Sequence, residues 1–345
     1  MPLMPNEKHV VPFVKYVLAG KLSRDFILPI SGRPFLDIPG GELFYAASAL
    51  SLWDSGAGLI SRIDPGYPQD WLEQLAAKGF DITGIKRVSE LTDTRAFFAY
   101  PDEDKCDRNR PVAHFADRGL EFPKGLLGYS DPVFHPDSKT APATGTIRIS
   151  DIPAEYMDAS AAHLCPLDYL SHILLTATLR QGKTTTITLD PSAGYMLPSF
   201  WDNIPALVKN LTAFITNEAK LRSLFTQRSS DLWDMAAAIG DFGCELVVIK
   251  RGKQGQLLYD SISKNRWLIP AYPAHVIDPT GSGDAFCGGF LASYRTAYDP
   301  LEAAVHGNIA ASLAVECSGP FAMHDTFPGL AEARLDALRS MVRKI

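Results

Sequence analysis

The chain has 345 residues, 46% of them apolar and 21% charged, which is enough to bury a full core and gives no sign of disorder. Its 33 basic and 39 acidic side chains leave a formal net charge of −6 with no basic run, which argues against a nucleic-acid groove. Cys106, Cys165, Cys244, Cys287 and Cys317 form no Cys-x-x-Cys pair and the eight histidines show no metal spacing, so neither a zinc site nor a disulfide framework is expected and a reducing, cytoplasmic setting fits best. Lys8, Pro12 and Lys15 break the apolar runs of residues 1–20, which speaks against both a signal-peptide core and a membrane span.

In chain order, residues 11–19 read as a buried strand ending at Gly20, and 24–30 and 33–38, punctuated by Pro29, Gly32 and Pro34, as two more exposed strands. A packed helix is expected over 41–53, a buried strand over 57–63, and an amphipathic helix over 69–78 stopped by Gly79. Residues 95–100 and 112–115 are taken as two further strands of a peripheral sheet. The charged 102–110 stretch and the Pro-, Ser-, Asp- and Thr-rich 128–145 stretch read as surface excursions, long for a compact fold.

Alternation then resumes: strand 146–149, helix 166–180, strand 185–189, helix 201–210, strand 213–216, helices 218–225 and 231–239, strand 245–250, a hairpin through Gly252 and Gly255, and two closing helices after Gly283 and Pro300. Near-continuous apolar strands alternating with helices predict an α/β fold, a doubly wound, mostly parallel sheet with helices on both faces. No internal repeat and no second core are visible, so residues 1–345 are expected to form one domain.

The segment Asp278-Pro279-Thr280-Gly281-Ser282-Gly283-Asp284-Ala285-Phe286 places a Gly-rich turn before a carboxylate and opens a small-residue helix. The N–H groups of Gly281, Ser282 and Gly283 can converge on an anion at that helix N-terminus, where the helix dipole also favours negative charge. Asp284 could then accept the proton of an alcohol attacking a phosphoryl group; the plainer alternative is an ordinary loop with Asp284 as a cap. Gly182-Lys183-Thr184 imitates the tail of a Walker A motif, but Ala177 stands where its first glycine is required and the triplet lies between a helix and a strand, the wrong context for a P-loop.

Asp278, Thr280, Gly281, Gly283, Asp284, Phe286, Gly288 and Gly289 resemble the C-terminal signature of the ribokinase-like, or pfkB, carbohydrate kinases, with Pro279 and Ser282 as mild variants. The resemblance runs over roughly residues 14–320. It implies a doubly wound domain with a small β-sheet lid from segments of about 21–39 and 93–118, and an ATP- and Mg²⁺-dependent phosphorylation of a hydroxyl on a sugar, nucleoside or small polyol. Asp284 would be the general base and Gly281 to Gly283 the anion hole. Asp25, in Gly20-Lys21-Leu22-Ser23-Arg24-Asp25, would hold substrate hydroxyls; from the sequence alone it is a solvated carboxylate. Pro39-Gly40-Gly41 resembles the family's Gly-Gly signature, but Glu42 and Tyr45 stand where sugar contacts are usual, and Phe44 and Tyr45 could stack on a ring or pack in the core.

The resemblance further implies that Asn217-Glu218 matches the Asn-x-x-Glu or Thr-x-Asn-Glu element that organises Mg²⁺ through water, although an Asn cap with a first-turn Glu reads equally well. Asp190-Pro191 corresponds to a polar position facing the same crevice. Lys250, Gly252 and Gly255 correspond to the nucleotide-side hairpin, with Lys250 in place of the common Thr and able to reach a phosphate. Asn308 falls at an adenine-flanking position, and Asp278 with Thr280 could help ligate K⁺. The acceptor, the choice of ATP over another triphosphate, and monomer against lid-mediated homodimer stay open. The alternatives are a kinase for a hydroxymethyl heterocycle and a catalytically silent nucleotide- or metabolite-binding homologue.

Overall fold

The computed structural model describes residues 14–90, 93–103 and 105–345. Residues 11–13 of the first expected strand lie outside them. In a ten-stranded sheet β1 (Tyr16–Ala19) lies third from one edge, flanked by β4 (Ala57–Ile63) and β8 (Ala161–Leu164). Beyond β4 comes the edge strand β5 (Asp81–Arg87); beyond β8 come β9 (Thr186–Leu189), β10 (Ala213–Asn217), β11 (Leu246–Lys250), β12 (Gln256–Asp260), β13 (Arg266–Ile269) and β14 (Arg343–Lys344). Pairing is parallel from β5 through β11 and antiparallel from β11 to β14.

Successive residues on a strand face opposite sides, and here both sides are apolar cores. Val17 and Ala19 of β1 enter one core while Tyr16 and Leu18 enter another; Val247 and Ile249 of β11 part from Leu246 and Val248 in the same way. One face is covered by α4 (Tyr169–Leu179), α5 (Ile204–Val208), α6 (Glu218–Leu224) and α7 (Leu232–Asp241). The other is covered by α1 (Glu42–Leu50), α2 (Gln69–Ala77), α8 (Ser282–Ala297), α9 (Pro300–Ala314) and α10 (Leu330–Arg339).

A separate four-stranded sheet has the order β3 (Phe35–Gly40), β2 (Ser23–Leu28), β6 (Arg95–Asp102), β7 (Lys105–Asp107). It carries its own small core of Phe26, Leu28, Phe97, Ala99, Phe115 and Leu126. Phe115 belongs to α3 (Pro111–Asp117), so the strand expected at 112–115 is a helix: Pro111, at the first helical position, has a φ suited to it and needs no N–H there.

Two other expectations are corrected. Residues 146–148 are not a strand, because Ile149–Asp151 turns into a short 3-10 helix and the Thr146 hydroxyl caps the Ala143 N–H at 2.8 Å; the sheet position is filled by β8 instead. The helix expected over 201–210 begins as a 3-10 turn at Pro198–Asn203 and becomes α-helical only over Ile204–Val208. From β1 the chain moves to β4 on one side and later returns to β8 on the other, and ligands in open α/β sheets bind at the carboxyl ends of strands near such a switch.

Candidate active site

A cleft of about 1490 Å³ opens over the carboxyl ends of the central strands, lined among others by Gly20 after β1, Asp190 after β9, Asn217 of β10 and Lys250 of β11. Its floor is the start of α8. Gly281 is the residue before that helix, with φ +73°, and a β-carbon there would lie 2.1 Å from Cγ of Tyr45. Only glycine accepts both that backbone and that ring. First-turn residues have no intrahelical acceptor for their N–H groups; the amides of Ser282 and Asp284 turn back onto the carbonyls of Pro279 and Gly281 at 3.3 and 3.0 Å, which holds the turn closed.

Asp284 lies in the first turn of α8 and lines the cleft. Burial, reinforced by the negative charges of Glu42 and Asp190 and opposed by the Lys250 and Lys220 ammoniums, pushes its carboxyl up to about 7. A carboxylate so raised takes up a proton near neutrality. Gly283 stays small for a separate reason: its β-carbon would stand 3.3 Å from Lys250 Nζ, which donates to the Gly283 carbonyl at 2.9 Å.

The small sheet forms the opposite wall. Asp25 of β2 is fully buried, accepts from the Ser23 hydroxyl at 2.5 Å through Oδ1, and has no partner at Oδ2. Burial pushes this carboxyl up to about 7 against the Ser23 hydrogen bond. A β-carbon at Gly40 would fall 1.9 Å from Asp25 Oδ2, and one at Gly41 (φ +97°) 2.4 Å from the Lys21 carbonyl. Asp25, Gly41 and Glu42 line the cleft, and Gly40 supplies the space for the carboxylate. The two walls touch where the Tyr100 hydroxyl of β6 meets Thr280 Oγ1 at 2.9 Å.

Other expected residues are placed differently. Phe44 packs edge-on against Phe321 in the core, and Tyr45 lies under Gly281 with its hydroxyl unpartnered, so neither presents an open ring face to a substrate. Asn217 caps α6 by accepting from the Lys220 N–H at 2.8 Å and lines the cleft. Glu218 turns away to Arg222 at 2.7 Å and Arg251 at 2.9 Å, which outweigh its partial burial and lower its carboxyl pKa. This does not fit the water-mediated Mg²⁺ role expected of it.

Gly252, with φ +55°, lines the cleft; Gly255, with φ +80°, closes the hairpin against the Ile269 carbonyl. Asn308 is buried and donates to Gln256 Oε1 and the Pro270 carbonyl at 2.7 and 2.8 Å while accepting from the Tyr272 N–H at 3.0 Å; it thereby fixes the segment that edges the cleft. Asp278 is fully buried, with its carboxylate taken up by the Thr280 N–H at 3.0 Å and by the Ser318 hydroxyl. Among the described residues no group of three or more His, Cys, Asp or Glu side chains could hold a metal ion.

Sequence reasoning passed over Lys220 altogether. It reaches Asp190 Oδ1 at 2.8 Å while Lys250 reaches Oδ2 at 2.6 Å. The available signal was spacing, since a residue three positions after a helix cap lies one turn along the helix, close to the cap.

The fold and this cleft define a phosphotransferase of the ribokinase-like type, acting on hydroxyl groups. Residues 154–326 match the family model described as pfkB family carbohydrate kinase, and the chain belongs to that family as a sugar or nucleoside kinase. It is 28% identical over 289 residues to a cytidine kinase of Thermococcus kodakarensis, covering 84% of this chain and 91% of that one. In fold it is similar to a nucleoside kinase of Burkholderia thailandensis in complex with inosine, at 19% identity and a TM-score of 0.65 over 93% of this chain and 96% of that one. It is likewise similar to the aminoimidazole riboside kinase of Salmonella enterica complexed with aminoimidazole riboside and an ATP analogue, at 18% identity and a TM-score of 0.64 over 93% and 99%.

Proposed function

We propose that this protein transfers the γ-phosphoryl group of ATP to a hydroxyl of a sugar, nucleoside or related small polyol. The observation that carries the proposal is Asp284: a carboxylate with its pKa raised to about 7 beside a Gly-rich helix start, in a cleft whose opposite wall holds the buried Asp25. The acceptor oxygen attacks the γ-phosphorus as Asp284 takes its proton, and the bond from phosphorus to the bridging oxygen breaks to release ADP. The Gly281 and Gly283 amides of the turn and the Lys250 charge stabilise the negative charge gathered on the phosphoryl oxygens, while the Ser282 amide is spent on the Pro279 carbonyl.

Asp25 accepts hydrogen bonds from acceptor hydroxyls through the oxygen that otherwise has no partner, and a substrate lacking them leaves that oxygen unpaired. Gly40 and Gly41 keep the backbone and carboxylate close enough for this. The small sheet acts as a lid inside one kinase domain; its Tyr100 contact with Thr280 couples lid position to the anion turn, so that water is excluded while both substrates are present. Mg²⁺, bound together with the nucleotide, would supply charge neutralisation on the phosphates; Glu218, which faces two arginines, does not fit as its protein ligand.

Nucleosides stand first among acceptors. Phe98 lies on β6, the strand paired with β2 beside Asp25, and with Val133 and Phe134, both exposed, it lines the cleft and offers apolar surface to a base. The likeness to a cytidine kinase over most of both chains supports the same order. A screen over nucleosides, sugars and hydroxymethyl heterocycles, read as ADP release with the phosphorylated product identified, tests the proposal. ATP binding without product from any acceptor would favour a silent nucleotide-binding protein.

A further inference from the structure

Asp190, which follows β9, is buried, and it meets the Lys220 and Lys250 ammoniums one on each carboxylate oxygen. Burial opposes its ionisation, but the two positive charges prevail and hold the carboxyl down to about 2. Two ammoniums share one carboxylate; Asp284, whose carboxyl feels both of them and is pushed up to about 7, offsets the second charge only when ionised, so while it is protonated the cluster keeps an excess positive charge in a largely desolvated place. Such a charge is costly unless another anion shares it.

The cluster faces the cleft beside the Gly-rich turn. Lys220 and Lys250 both line that cleft, and Lys250 is tied to the turn itself through the Gly283 carbonyl. Lys220 spends two N–H donors on Asp190 and the Pro191 carbonyl, at 2.8 and 2.6 Å, and an ammonium has three. Lys220 also stands three residues after Asn217, where an Asn-x-x-Glu element would bring a carboxylate to the cleft. Here that place delivers a cation, and the neighbouring Glu218 is spent on Arg222 and Arg251.

We infer that Lys220 and Lys250, held in register by Asp190, form a two-cation cradle for the terminal phosphates of the nucleotide, and that this grip does not depend on a protein carboxylate ordering the metal. The inference rests on the kinase function proposed above and deepens it. Asp190 is the positioning residue: a single carboxylate with both oxygens occupied fixes the distance between the two ammoniums and keeps them aimed at one locus.

Calorimetric titration with ADP and with adenosine, each in EDTA and in Mg²⁺, tests this on the full chain. Lys220→Met leaves Asp190 paired with Lys250 alone, a neutral pair, so the fold is kept. The expected result is at least about tenfold weaker ADP binding in EDTA as well as in Mg²⁺, the scale of one charged hydrogen bond, with adenosine binding unchanged and Lys220→Arg recovering most of the loss. Lys250→Met gives the same pattern. Unchanged ADP binding by Lys220→Met in EDTA overturns the cradle while wild-type turnover leaves the kinase reading standing. Equal losses for ADP and adenosine overturn it too, by making Lys220 merely structural, and failure of the wild type to bind ADP at all overturns both.

Discussion

Replacing Gly40 by alanine isolates the acceptor side of the cleft. The Gly40 backbone is not left-handed, so alanine is free to adopt it, and the whole effect comes from where the methyl group goes. Its carbon would lie 1.9 Å from Oδ2, 2.0 Å from Cγ and 2.4 Å from Oδ1 of Asp25, against an ordinary contact of about 3.4 Å or more, so the carboxylate must retreat by about 1.5 Å. A misplacement of about 1 Å in a group that orients a substrate can cost about 100-fold in rate. Gly40→Ala is therefore expected to lower kcat/KM for the acceptor by at least about 100-fold while leaving ADP affinity intact. Gly32→Ala is the control, because Gly32 has φ +90° with nothing within 4 Å of an added β-carbon. It should cost about 1–2 kcal/mol of stability through the backbone alone and leave kinetics unchanged. Steady-state assays varying the acceptor at saturating ATP decide the matter: near-normal acceptor kinetics in Gly40→Ala would refute the claim that Asp25 is held at a substrate-binding position.

Four further outcomes are expected. Turnover should fall as pH drops through about 7, because protonated Asp284 cannot take a second proton, and a flat profile between pH 6 and 8 would contradict the base assignment. Asp25 binds its proton more tightly folded than unfolded, so its contribution to stability is full below the usual carboxylate pKa of about 3.9 and is lost as pH rises to about 7; urea midpoints of wild type and Asp25→Asn should diverge over that window. Glu218→Gln should leave the Mg²⁺ dependence of turnover unchanged and cost about 0.5 kcal/mol of stability through its part-exposed arginine pairs. Asn308→Ala strips partners from Gln256, Pro270 and Tyr272 and should cost about 3 kcal/mol by urea titration.

The alternation of apolar strands with helices was legible because a doubly covered sheet makes its strands apolar on both sides, as in β1, β10 and β11. The Gly-rich turn was legible because its positive φ and its tight approach to Tyr45 demand glycine, a requirement written directly in residue type. Residues 112–115 misled because four residues with Phe115 pointing inward satisfy either period, and only Pro111 marks the helix start. The edge strand β5 went unread since one open side lets polar residues such as Asp81, Thr83 and Lys86 interrupt the pattern. The Asp190–Lys220–Lys250 cluster joins three separate segments, so the local spacing after Asn217 could bring Lys220 to the cleft but could not announce its partners. Glu218 shows the converse: its spacing suited a metal role, and its side-chain direction, set by Arg222 and Arg251, took it elsewhere.

The most direct measurement on the central claim is single-turnover transfer by Asp284→Asn, with ADP and acceptor affinities determined on the same protein. Asparagine keeps the size and polarity of the side chain and removes its capacity to take the proton. The account predicts retained binding of both ligands and a transfer rate lowered by at least about 100-fold. A transfer rate near that of the wild type would show that the proton leaves by another route and that Asp284 is not the base.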